Sequence, residues 1–271
     1  MFVGWIRGKT FLKELDELEK KIVIDKNLVY KTYSLNPELT YGVYDNKELV
    51  AIISAYEFEN QMLINGFYYL DIVKSDIIEK LVELFMKNIY NFDKTILFMA
   101  KIKDELTIFE KFGFKKYADF SKAIYSGGAV FNFSNATSKS INKQNYQTIQ
   151  NKLDNHIFKT NKQEYFKNLL YKQSSLMLSS DFAYQHSYAL SKSIIKISPW
   201  VNNSTNYDDA EKLLRGVIYH RGLKTLIAII PSQIDEITNL YKKYNFELKE
   251  RYTLMYKNEK PYMELEAVYG F

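Results

Sequence analysis

Cysteine is missing from all 271 residues, which removes disulfides and thiolate metal ligands from consideration. Proline and glycine are scarce, at 4 and 10. The only histidines are His156, His186 and His220. They stand far apart with no carboxylates at ligand spacing, which argues against a metal site. No apolar run reaches the roughly 18 residues that a bilayer span requires, so no membrane partner is expected. The opening Met1-Phe2-Val3-Gly4-Trp5-Ile6-Arg7 is too short and too soon charged for a signal peptide, and a cytoplasmic location is the expectation. Strong charge of one sign is also lacking. Against 32 acidic residues stand 37 basic ones, a net +5, and they alternate along the predicted helices. A nucleic-acid binder gathers them on one face, so a nucleic-acid partner is not expected. No Gly-x-Ser-x-Gly turn marks a serine hydrolase.

What remains is apolar and plentiful. Hydrophobic residues make up 46% and charged ones 25%, the balance of a globular protein, and the length suits two domains. Leu12, Leu15, Leu18 and Ile22 fall at helical spacing within residues 9–24. Apolar runs at 41–44, 49–58 and 62–73, separated by Asp45-Asn46 and Glu59-Asn60, predict a three-stranded meander. A helix follows, with Asp76 as its cap and Glu79 completing a capping box. Ile78, Leu81, Val82, Phe85 and Ile89 form its apolar stripe. A strand at 95–100, a helix at 105–112 and a pair of strands over 114–133, broken at Gly127-Gly128, close the first half.

Residues 134–152 are almost wholly polar and read as a linker. The order then repeats: a helix at 161–173, strands around 175–191 and 193–201, a helix capped by Asp208 with Glu211 three residues on, a strand at 225–230, a helix at 234–244 and strands over 247–256. Asp76 and Asp208 are 132 apart, Glu79-Lys80-Leu81 and Glu211-Lys212-Leu213 are 132 apart, Lys94-Thr95 and Lys224-Thr225 are 130 apart, and Phe114 and Phe246 are 132 apart. Offsets this constant, in one element order, indicate a tandem duplication. The domains are expected at 1–133 and 153–271.

Ile108-Phe109-Glu110-Lys111-Phe112-Gly113-Phe114 and Leu240-Tyr241-Lys242-Lys243-Tyr244-Asn245-Phe246 resemble the Leu-Tyr-x-Lys-x-Gly-Phe segment of the GNAT N-acetyltransferase superfamily. Pro199-Trp200-Val201, Ala210 to Leu214, Met255-Tyr256 and the apolar end Glu266–Phe271 are similar to the C-terminal domain of its two-domain bacterial members. The resemblance covers most of 40–131 and 154–271. It implies a mixed α/β fold class: two tandem GNAT-like domains, each a central, mostly antiparallel sheet flanked by helices. It also implies transfer of an acetyl or other acyl group from acetyl-CoA or another acyl-CoA to an amine, with no metal. The acceptor would be a small molecule, a sugar or a peptide, and a homo-oligomer fits as well as a monomer.

The same resemblance places a proton donor for the leaving thiolate at Tyr241, where the first half has Phe109. It suggests Asp71 as general base. The family's glycine-rich phosphate loop is absent from both halves: only Lys74-Ser75 precede Asp76, and Asn202-Asn203-Ser204-Thr205-Asn206-Tyr207 holds no glycine. Both helices open on aspartate, whose charge repels a phosphate there. The expected cofactor contacts are therefore Trp200, Val201, Asn202, Asn203, Ser204 and Thr205, with Asn, Ser and Thr side chains as donors and the chemistry in the second half. Two alternatives stand beside this reading: a tandem GNAT fold that binds without catalysing, and an aminoacyl-tRNA-dependent transferase.

Overall fold

The computed structural model describes residues 1–89, 92–101, 103–128, 143–203 and 207–271, with backbone alone for 143–145. Two compact units emerge. One comprises Met1–Tyr117 with Thr253–Pro261, the other Ala118–Tyr252 with Tyr262–Phe271. The units therefore do not follow the halves 1–133 and 153–271, because a strand from each half is built into the other unit.

The first unit strings β1 (Phe2–Trp5), β2 (Thr40–Asp45), β3 (Glu48–Glu57), β4 (Gln61–Tyr69) and β5 (Thr95–Ala100) in that order. The meander turns tightly at Asn46 and Lys47, both at positive φ, 47° and 73°, the twist that a two-residue hairpin loop needs. β4 and β5 run parallel, from Gln61–Thr95 to Ile64–Phe98. Beyond β5, residues Thr253–Lys257 add an antiparallel strand. α1 (Phe11–Glu19) and α2 (Lys26–Leu35) pack on β3, while α3 (Ser75–Asn88) packs on β1 to β3 and against α4 (Lys103–Lys111). α1 buries Phe11, Leu15 and Leu18. Leu12 stays 44% exposed, so the helix is turned one position from the expected stripe. β1 and α2 were not expected.

α3 buries Ile78, Leu81, Val82 and Phe85 as its stripe requires. Its capping box does not form: Lys74 is the cap, with no side-chain bond, and Asp76 sits exposed in the first turn. Glu79 reaches instead to Lys111 on α4, 2.6 Å away.

β6 (Lys115–Tyr125) is one continuous strand where a broken pair was expected; the end of that pair lies outside the described residues. In the second unit β6 pairs antiparallel with β10 (Thr225–Pro231). β10 lies parallel to β9 (Ile194–Asn202) over Thr225–Ile194 to Ile227–Lys196. β8 (Ala183–Ala189) and β7 (Leu176–Ser179) follow antiparallel. α5 (Lys143–Ile157) covers one face of β7 and β8, and α7 (Tyr207–Arg221) covers the other. Residues 143–152 of the expected linker are thus helical. Their buried positions, Tyr146 and Gln150, both carry polar groups, so composition alone resembles a linker. Residues 134–142 lie outside the described residues. α6 (Gln163–Tyr165) passes into a π-helical turn, Phe166–Leu170. α8 (Asp235–Lys243), β11 (Glu247–Lys257) and β12 (Val268–Gly270) complete the chain.

The duplication holds at the level of single bonds. Phe114 N–H donates to Phe109 O and Gly113 N–H to Glu110 O; 132 residues on, Phe246 N–H donates to Tyr241 O and Asn245 N–H to Lys242 O. Glu211 on α7 pairs with Lys243 on α8 at 2.8 Å, as Glu79 on α3 pairs with Lys111 on α4. These glutamates join helices; they do not cap them.

Candidate functional site

In each unit one parallel strand pair separates part-way along. In the first unit the parallel register stops at Ile64–Phe98, and Asn65 is the extra residue of a bulge, since Ser54 faces Gly66 and Ala55 faces Ile64. A bulge bends the strand that carries it, so β4 turns away from β5 from that point. The gap is walled by side chains. Phe98 stacks on Phe109 with centroids 3.9 Å apart, and Phe67 meets both edge-on at 5.4 and 5.5 Å. At the mouth, Tyr69 Oη donates to Glu105 Oε1 at 2.9 Å, and the Lys101 N–H donates to Glu105 Oε2. Burial, then Glu105, pushes the Tyr69 hydroxyl well above its ordinary range. Phe67 and Tyr69 remain half-buried, and Asp71, just beyond β4, is exposed.

The second unit separates in the same place and is filled. β9 and β10 part after Lys196–Ile227, and β12 enters between them. Val268 faces Val201, Gly270 faces Trp200, and the Phe271 N–H donates to Ile229 O at 2.8 Å. The chain's own C-terminal segment thus takes up the backbone groups of both diverging strands.

Tyr241, Trp200, Val201 and Asn202, four of the eight expected site residues, lie around this plug. Tyr241 has no exposed surface, and its hydroxyl donates to Tyr269 O at 2.7 Å. Burial drives its proton affinity well up. In this structure the Tyr241 hydroxyl is thus engaged by the main chain and closed to solvent. Trp200 is likewise fully buried, against Tyr241 and Tyr269 at 5.8 and 5.2 Å. Val201 is buried on the opposite face with Tyr184 and Val268. Asn202 is buried at the end of β9, where it faces Ala183. These three are core strand residues: Trp200 and Val201 lie inside the expected strand 193–201, and Asn202 extends it by one residue. Asn203 is exposed, and its N–H donates to Phe182 O at 2.9 Å. Ser204 and Thr205 lie outside the described residues. Asp71 belongs to the first unit, just beyond β4.

Tyr69, Glu105 and the plug itself were not expected. The apolar run Ala267-Val268-Tyr269 was visible in the sequence, but not the gap that it enters. Among the described residues there is no group of His, Asp and Glu able to hold a metal ion, and no helix long and apolar enough to cross a membrane.

No family model and no curated protein matches this sequence. Solved structures do. A Pyrococcus horikoshii protein assigned as an acetyltransferase shares 13% identity at a TM-score of 0.72, covering 100% of this chain and 93% of its own. A GCN5-related N-acetyltransferase from Sphaerobacter thermophilus shares 12% at 0.64, covering 98% of each. A tandem GNAT protein from the clavulanic acid biosynthesis pathway shares 10% at 0.62, covering 94% of this chain and 97% of its own. At such identities the likeness speaks for architecture: this chain has the tandem fold of the GCN5-related N-acetyltransferases.

Proposed function

We propose that the chain transfers an acyl group from an acyl-CoA to an amine, with the first unit as the acyl-CoA site. One observation carries this reading. Beyond Ile64–Phe98 the first unit's parallel strands part with no described strand between them, whereas β12 occupies the same position in the second. An acyl-CoA's pantetheine arm is an extended chain with two amides, able to bond a free strand edge much as a peptide does. The half-buried rings of Phe67 and Tyr69 give its apolar stretches a wall. The leaving group is a thiolate whose conjugate acid lies near 8.5, so water at a half-exposed mouth can protonate it, and Phe109 in place of a tyrosine does not forbid the reaction. Asp71, exposed beside this mouth, is our choice of residue to accept the amine's proton. The acceptor class remains a small molecule, a sugar or a peptide.

The test is hydrogen exchange with acetyl-CoA. Amides of Asn65–Tyr69 should gain protection, and the melting temperature should rise. Absence of a thermal shift with every acyl-CoA, or protection confined to Ile197–Asn202, overturns the reading. A second reading, binding without catalysis, is favoured by the lack of an available hydroxyl at both Phe109 and Tyr241. It predicts the same protection with no acylated product from any amine.

A further inference from the structure

The buried face of α5 carries a ladder of polar side chains. Tyr146, Gln150 and Asp154 follow one another at intervals of four residues, so they stack one turn apart on a single side. Their exposures are 1%, 2% and 1%. Tyr184 on β8 donates to Asp154 Oδ1, and Tyr171 donates to Gln150 Oε1 at 2.9 Å. The Tyr146 ring stands edge-on to that of Tyr184, centroids 5.7 Å apart.

Each rung leaves one atom over. Among the described residues, Tyr146 Oη, Gln150 Nε2 and Asp154 Oδ2 are buried and have no hydrogen-bond partner. An orphan of this kind forfeits its hydration with nothing in return, and folded proteins keep few of them. Three on successive turns of one helix face mark a place that something polar completes. The half-buried Lys162 acts on Asp154 through its charge, but its Nζ lies over the Phe158 ring, 3.1 Å from the centroid, and among the described residues Asp154 Oδ2 keeps no hydrogen-bond partner.

The three atoms define the occupant. Asp154 Oδ2 can accept, and the carboxyl becomes negative once its proton leaves, so it suits a cationic donor. Gln150 Nε2 can only donate, so it calls for an oxygen acceptor. Tyr146 Oη serves either, and the tyrosine faces around it suit an ammonium group. Neighbouring rungs are about 5–6 Å apart at Cβ, a spacing that a molecule with nitrogen and oxygen two carbons apart can bridge. We propose that α5 and β8 enclose a binding site for a small primary amine bearing a nearby hydroxyl or ether oxygen. Burial holds the Asp154 carboxyl above the usual carboxylate range, against the opposing pull of the Lys162 charge and the Tyr184 hydrogen bond. The site is independent of acyl transfer and needs no acyl-CoA.

The experiment is calorimetric titration of the full chain with ethanolamine, with ethylamine and ethylene glycol as controls at matched ionic strength. Ethanolamine should bind at least ten times more tightly than either control, each of which offers half of the pattern. Asp154→Asn should weaken it at least tenfold. Tyr146→Phe, which keeps the ring and its packing, should weaken it several-fold in a protein whose circular dichroism is unchanged. Equal affinity for the three compounds, no binding of any, or undiminished binding by a folded Asp154→Asn or Tyr146→Phe protein would show that water alone completes the ladder, and would overturn the proposal.

Discussion

The hydroxyl of Tyr241 donates to the main-chain carbonyl of Tyr269, 2.7 Å away in a fully buried setting. That bond ties α8 to the segment filling the second unit's strand gap, and it gives the aromatic at this position a structural duty. Tyr241→Phe removes the donor and leaves a buried carbonyl unpaired, at a cost of about 1–3 kcal/mol. We expect a lower melting temperature with acyl transfer per folded molecule unchanged. A fall in turnover at unchanged stability would return the chemistry to the second unit.

The plug can be tested at its narrowest point. A Cβ at Gly270 would stand 3.0 Å from Ile197 O and 3.2 Å from Trp200 Cβ. Backbone cannot give way as a flexible side chain can, so Gly270→Val should lift β12 from β9. The expected result is faster proteolysis of the C-terminal residues and faster amide exchange at Trp200–Asn202, with the first unit's amides unchanged.

Gly113 and Asn245 end the two equivalent helices at φ 85° and 61°. At Gly113 the nearest atom to an added Cβ is Lys257 Nζ at 3.5 Å, so space is not limiting and only backbone strain counts. Gly113→Ala should destabilise by about 1–2 kcal/mol. Gly113→Asn should cost less, because asparagine tolerates this conformation and holds it in the sister helix. Chemical denaturation measures both. Equal losses would mean that the helix end is not left-handed in solution.

The sequence showed this duplicated segment clearly because each copy is local. A helix stripe, a left-handed stop and a following phenylalanine fall within a dozen residues. The meander was legible for the same reason. What escaped depends on partners distant in the chain. Glu79 and Glu211 stand where capping-box partners stand, and only the packing of the next helix shows that Lys111 and Lys243 claim them. Tyr241 fits a catalytic pattern until Tyr269, 28 residues on, is seen to hold it. The polar stretch before Asp154 resembles a linker because its buried face is built from Tyr, Gln and Asp. The α/β class and the tandem repeat were thus readable, while the site was not, since its walls come from β4, β5 and α4, brought together only where the bulge at Asn65 parts the strands.

Stability against pH isolates two buried groups of opposite sign. His186 has no exposed surface; Nδ1 lies 2.8 Å from Ser198 O, which can only accept, so that nitrogen carries the proton. Nε2 then accepts from Ser175 Oγ at 2.8 Å. Burial, aided by Lys172 and Arg221, lowers its pKa to about 4 from 6.5; Tyr171 and Tyr188 are the rings against it. The unfolded chain therefore binds the extra proton first, and stability falls as pH drops from 6.5 to 4, by at most about 3 kcal/mol. Asp154 works the other way. It is faced by Tyr184 on β8, by Tyr146 on its own helix, and by Tyr171 and Lys162, and burial raises its pKa. The folded state holds that proton longer, so stability falls as pH rises above the ordinary carboxylate value of 3.8. The two slopes oppose each other in the wild type. Asp154→Asn should make stability climb more steeply between pH 4 and 6.5, and His186→Asn should make it decline across the same range. Melting temperatures at half-unit pH intervals measure both slopes. Parallel curves for the wild type and the two variants would show that neither group titrates differently in the folded protein.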